Sequence, residues 1–152
     1  MKYLICGFSG AGKTTLLGKI KNDSQYKNYS FFDLDHEILK EKKINSVSSY
    51  IETFGWDEFR KAEQNILQLL LSNHQYCWIA LGGGTLNDAN IIQFKQDQSI
   101  KVFFLDTPLE VCINRLNSDG DRPLLKEGED FLRELYKTRL PMYKNFERIL
   151  DT

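Results

Sequence analysis

At 152 residues the chain is long enough for one domain whose core stands without staples, burying about 68–70% of the surface its unfolded form exposes. Hydrophobic residues make up 41% and charged residues 27%, which excludes a disordered or fibrous chain. A formal net charge of −1 and the lack of a basic stripe argue against a protein that grips nucleic acid mainly through its phosphates, so any anion is expected to be held locally.

Cys6, Cys77 and Cys112 are odd in number, far apart and set in apolar segments, as expected of free, buried thiols in a reducing compartment. The short apolar run ending at Gly7 lacks the build of a secretory signal. The run at 77–81 falls far below the ~20 residues that span a bilayer, and a cytoplasmic location is expected.

The first strand is predicted at 3–6 (YLIC), followed directly by GFSGAGKTT and a helix at 13–22. Gly7, Gly12, Lys13 and Thr14 meet the Walker A spacing between a strand and a helix. There, small residues such as Ser9, Gly10 and Ala11 let successive N–H groups point at phosphate oxygens, and the helix start at 13–15, with Thr15, adds its positive end. Lys13 is expected to reach the β- and γ-phosphates and Thr14 to offer its hydroxyl to Mg²⁺. The second strand, 30–33 (SFFD), ends in FFDLD. If the chain stays extended there, Asp33 and Asp35 point to one side, one able to hold Mg²⁺ through water and the other to take a proton from a substrate hydroxyl. The plainer alternative makes Asp35 a helix N-cap and Asp33 a solvated strand end.

Helices are predicted at 35–41, 46–53 and 57–72. In the last of these Arg60 and Glu63 stand three apart and share a face, by default an ordinary surface ion pair. The third strand, 76–81 (YCWIAL), leaves through LGGGT, where three glycines imply that backbone passes close to another object, a ligand being a good candidate. A helix at 88–95, a strand at 100–106 (IKVFFLD) and a helix at 109–116 carrying Arg115 follow. The polar segment 117–128 (NSDGDRPLLKEG) contains Arg122 and reads as a lid over a ligand rather than a plain linker. A helix at 129–145 carries Arg139 in KTRLPMY, and a last short strand is expected at 148–151. Four arginines exceed what a triphosphate needs, and their planar forks suit carboxylates as well. Strands alternating with helices, with little strict alternation inside each strand, predict an α/β fold with a parallel sheet covered on both faces.

Taken in order, GFSGAGKTT, FFDLD, FGWDEFRKAE, LGGGT, DRPLL and RLPMY resemble the shikimate kinase family along essentially the whole chain. The resemblance implies a three-layer, nucleoside monophosphate kinase-like P-loop fold with about five strands. It implies one domain over 1–152, with a substrate-binding region near 33–61 and a lid near 117–128. The implied activity is transfer of the γ-phosphoryl group of ATP, with Mg²⁺, to the 3-hydroxyl of shikimate. Asp35, Arg60, Gly82, Gly83 and Arg139, with the adjoining Gly84, match positions that hold shikimate, the arginines on its carboxylate and Asp35 as the base. Thr14 and Asp33 match the magnesium side, Arg122 the lid arginine that closes on the phosphates, and Arg115 a position that stacks on adenine. Glu63 matches a carboxylate that orients its neighbours. A monomer without nucleic-acid or membrane partners is expected.

The chain departs from the family in two places. Gly55-Trp56 stands where Gly-Glu is usual, which is expected to alter substrate affinity or specificity. The chain also stops at Thr152, where the family continues with an adenine-covering loop and a closing helix, so weaker or less base-selective nucleotide binding and an uncovered hydrophobic strip are expected. Two other readings fit the same motifs: a kinase of this fold with another acceptor such as gluconate, and a nucleotide-binding regulator without turnover.

Overall fold

The structure, a computed structural model, describes residues 1–118 and 127–150. Five parallel strands, β1 (Lys2–Cys6), β2 (Ser30–Asp33), β3 (Cys77–Ala80), β4 (Ile100–Asp106) and β5 (Glu147–Leu150), form one sheet in the order β2-β3-β1-β4-β5. Six α-helices are found among the described residues: α1 (Lys13–Lys21), α2 (Leu34–Lys42), α3 (Val47–Asn73), α4 (Asp88–Gln96), α5 (Leu109–Ser118) and α6 (Glu129–Tyr143). Among the described residues, the one element without a sequence signal is a short 3-10 turn at Ser24–Tyr26, capped by the Asp23 carboxylate.

Helices on both faces explain why β3 is buried at every position and why Leu4, Ile5 and Cys6 of β1 are wholly buried. The edge strand β5 is largely exposed instead. On one face Tyr3 stacks on its cross-strand partner Trp78, ring centroids 4.5 Å apart, with Phe103 continuing the row.

The break expected between helices at 46–53 and 57–72 is present inside α3. Gly55 takes φ 85°, ψ 167°, a conformation that side chains resist, so 47–54 and 56–73 run as two helical pieces across a kink. The strand order puts β1 between β3 and β4, where the connections turn in opposite directions. Ligands of open α/β sheets bind outside the carboxyl ends of strands at such a point.

Candidate active site

At the carboxyl end of β1 the chain turns through Gly7–Thr14 into α1. Gly10 and Gly12 adopt φ of +83° and +101°, and a Cβ on Gly10 would sit 2.7 Å from the Cys112 carbonyl oxygen, so both the turn and its close approach to α5 require glycine. Gly12 is the N-cap of α1 and supplies no side-chain bond, which leaves the first N–H groups of the helix directed at the cleft. The loop is braced from behind. Thr107 Oγ1 and Arg115 Nη1 donate to the Ala11 carbonyl at 2.6 and 2.9 Å, and Arg115 also reaches Gly10 O at 3.2 Å. Lys13 is buried, and its ammonium donates to the carbonyls of Gly7 and Phe8, the latter at 2.9 Å.

Asp33 and Asp35 both line the cleft, but not by the extended geometry expected of DLD. Strand β2 ends at Asp33 and helix α2 starts at Leu34. Asp33, not Asp35, is therefore the N-cap, with Oδ1 accepting from His36 N at 3.2 Å. Its other oxygen, Oδ2, accepts from Thr14 Oγ1 at 2.5 Å. Two oxygen donors on adjoining elements fit a hard divalent cation that keeps water and phosphate oxygens in most of its shell. Among the described residues no cluster of three His, Cys, Asp or Glu side chains offers a closed cage.

The glycines after β3 do pass close to other groups, and the structure shows that these are the site's own side chains. A Cβ on Gly82 would lie 3.0 Å from Glu63 Oε2 and 3.1 Å from Asp35 Oδ1; one on Gly83 would lie 2.6 Å from Ser9 Oγ; one on Gly84 would collide with Arg60 Nη2 and approach Arg139 Nη2 at 2.7 Å. Donor loop, candidate base and two guanidiniums thus converge on one stretch of bare backbone.

The default reading of Arg60 and Glu63 from spacing, an ordinary surface pair, which the resemblance already sets aside in favour of an orienting carboxylate, does not describe the pair. Glu63 is fully buried, holding Arg60 Nη1 at 2.8 Å on Oε1 and Thr85 Oγ1 at 2.8 Å on Oε2. Gln64 and Asn90 fix the Thr85 carbonyl at 3.0 and 2.8 Å. The Tyr143 hydroxyl donates to Gly83 O at 2.6 Å and is hydrogen-bonded to Arg139. Burial pushes the Tyr143 phenol well above its ordinary range and pulls Arg139 down, Arg60 adding to the latter.

The cleft, about 310 Å³, is lined by residues 9–15, Asp33, Asp35, Leu81, Gly82, Gly83 and Arg115. Arg60 and Arg139 flank it at Gly84. Arg122 and most of the segment expected to form a lid lie outside the described residues. Sequence reasoning gave no role to Thr107, Gln64, Asn90 or Tyr143. Tyr143 had a signal, its place in RLPMY, but the other three carry none, because their function is to hold backbone carbonyls that only the fold brings near.

A parallel sheet of this order, with a phosphate cradle leaving β1 and a carboxylate- and guanidinium-lined pocket at the same edge, defines a P-loop kinase of small molecules. The shikimate kinase family model matches residues 9–152. A shikimate kinase of Persephonella marina is 34% identical over 152 residues, covering 99% of this chain and 87% of its own. One from Caldicellulosiruptor saccharolyticus is 30% identical over 151 residues, covering 98% and 84%. The solved structure of shikimate kinase from Acinetobacter baumannii in complex with shikimate aligns with a TM-score of 0.84 at 32% identity, over 99% of this chain and 83% of that one. The chain belongs to the shikimate kinase family and is an ATP-dependent small-molecule kinase.

Proposed function

We propose that this kinase transfers the γ-phosphoryl group of ATP to the 3-hydroxyl of shikimate, yielding shikimate 3-phosphate and ADP, in aromatic amino acid biosynthesis. It acts as a cytoplasmic, monomeric, single-domain enzyme without nucleic-acid or membrane partners. The observation that carries the proposal is the Gly82–Gly84 segment, against which Ser9 of the phosphate loop, Asp35, Glu63, Arg60 and Arg139 all pack.

In this reading the loop amides of 9–15 and the start of α1 hold the phosphates, and Lys13 exchanges the Gly7 and Phe8 carbonyls for β- and γ-phosphate oxygens. Thr14 and Asp33 hold Mg²⁺, which neutralises charge on the phosphates. Arg115 braces the loop and meets the adenine. Arg122 acts from the lid, as the family resemblance implies. Arg60 and Arg139 grip the acceptor's carboxylate, two like charges of which Glu63 pairs with one. Asp35 takes the proton of the 3-hydroxyl as that oxygen attacks the γ-phosphorus; the bond to the β,γ-bridging oxygen breaks and ADP leaves with the electron pair. Positioning and charge stabilisation supply most of the acceleration.

ADP release measured with and without shikimate tests the proposal, and the absence of shikimate-dependent release at millimolar acceptor would sink it. Asp35→Asn is expected to lower kcat by about 10² to 10⁴ while ATP affinity stays near normal. A parallel collapse of ATP affinity would move Asp35 to the metal site.

A further inference from the structure

Trp56 is an exposed tryptophan, 39% accessible, directly after the Gly55 kink. Helix α3 restarts there after the Gly55 kink, so Trp56, Phe59, Arg60 and Glu63 fall at i, i+3, i+4 and i+7 and share one face. The Arg60 Cζ lies 5.0 Å from the centre of the Trp56 ring and 5.5 Å from that of Phe59. Trp56 is itself set edge-on to Phe59, centroids 6.0 Å apart at 90°. Phe59 is 2% accessible and packs on Tyr50, which ties the exposed indole to the core.

The two kinds of contact constrain Arg60 differently. The ion pair through Nη1 to Glu63 pins one corner of the guanidinium and leaves its plane able to swing. An aromatic ring over the face removes that swing without consuming an N–H, because donors radiate from the edge of the plane. The remaining edge then stays available beside Gly84, where Arg139 arrives from the other side.

We infer that Trp56 is a specificity-determining positioning residue: its indole holds the Arg60 guanidinium in the plane in which it receives the carboxylate of the acceptor. The inference rests on the proposed function for the identity of that acceptor, but its chemistry requires only a carboxylate.

The test uses the full chain and titrates binding of shikimate and of its methyl ester to wild type, Trp56→Ala and Trp56→Phe, alongside kinetics. Trp56→Ala is expected to raise the Kd and KM for shikimate about fivefold, with kcat and the Kd for ATP changed less than about twofold. Trp56→Phe should recover most of the loss, since a smaller ring still covers the guanidinium. The ester, which offers no anion to Arg60, should bind Trp56→Ala and wild type alike. An unchanged shikimate Kd in Trp56→Ala, or an equal loss for acid and ester, overturns the inference. So does a failure of Trp56→Phe, with an intact melting transition, to recover affinity. If wild type binds shikimate with this Trp56-dependent preference for the acid yet releases no ADP with it, the proposed reaction falls while the role of Trp56 stands.

Discussion

The two halves of the cleft are built in opposite ways. The phosphate half is one continuous stretch, 7–14, shaped by glycine backbone and braced by Thr107 and Arg115 on its own carbonyls. The acceptor half draws Asp35 from α2, Arg60 and Glu63 from α3, bare backbone from 82–84 and Arg139 from α6, so its geometry depends on the packing of the whole sheet edge. A backbone cradle presents the same amides to any polyphosphate. A pocket of converging side chains can change its ligand one residue at a time.

Several substitutions test that contrast. Lys13→Ala should be the most damaging, lowering kcat about 10³-fold whichever acceptor is offered, because it removes a charge that no acceptor-side group replaces. A loss confined to the KM for shikimate would break the contrast. Gly84→Ala places a methyl group among the tips of Arg60 and Arg139. Flexible side-chain ends can move aside, so the melting temperature should hold while the KM for shikimate rises about ten- to a hundredfold and that for ATP does not. Tyr143→Phe removes the donor to Gly83 O and a partner of Arg139 in a fully buried setting. It should cost about 1–2 kcal/mol in urea unfolding and weaken shikimate more than ATP.

An effect seen only at alkaline pH lies behind the phosphate loop, where burial raises the Cys6 thiol from 9.0 to about 12. Below about pH 9 neither state loses that proton. Above it the unfolded chain ionises while the folded chain stays protonated, so stability falls as the pH climbs from 9.0 towards about 12. The slope from this group is at most about 1.4 kcal/mol per pH unit. Urea midpoints of wild type and Cys6→Ala across that window should show the variant losing less.

The same contrast explains what could be read from residues alone. The cradle was legible because its chemistry requires small residues, a lysine and a threonine at fixed neighbouring positions, and the sequence displays them side by side. The break at Gly55 and the parallel sheet were legible from periodicity and punctuation. DLD was misread because the choice between extended chain and helix start hung on one residue: with Leu34 already helical, Asp33 becomes the cap and serves Thr14 as well. Spacing alone made Glu63 half of a surface pair, because i,i+3 carries no information about burial and its second partner, Thr85, lies 22 residues away; only the resemblance gave it an orienting role. Resemblance to the family proposed acceptor residues on the chain; it said nothing of Trp56 lying over Arg60, a contact that only the fold displays.

The glycine wall at 82–84 also bears on redesign. Its surface has no side chains to exchange, and a Cβ at any of its three positions would lie within 3.0 Å of a neighbouring atom or at that limit. Retailoring the enzyme to another acceptor therefore has to work through the side chains that meet the wall and those that hold them. Arg60, Arg139 and Trp56 are the residues a directed library would vary, while 82–84 are held constant as the template against which each variant is read.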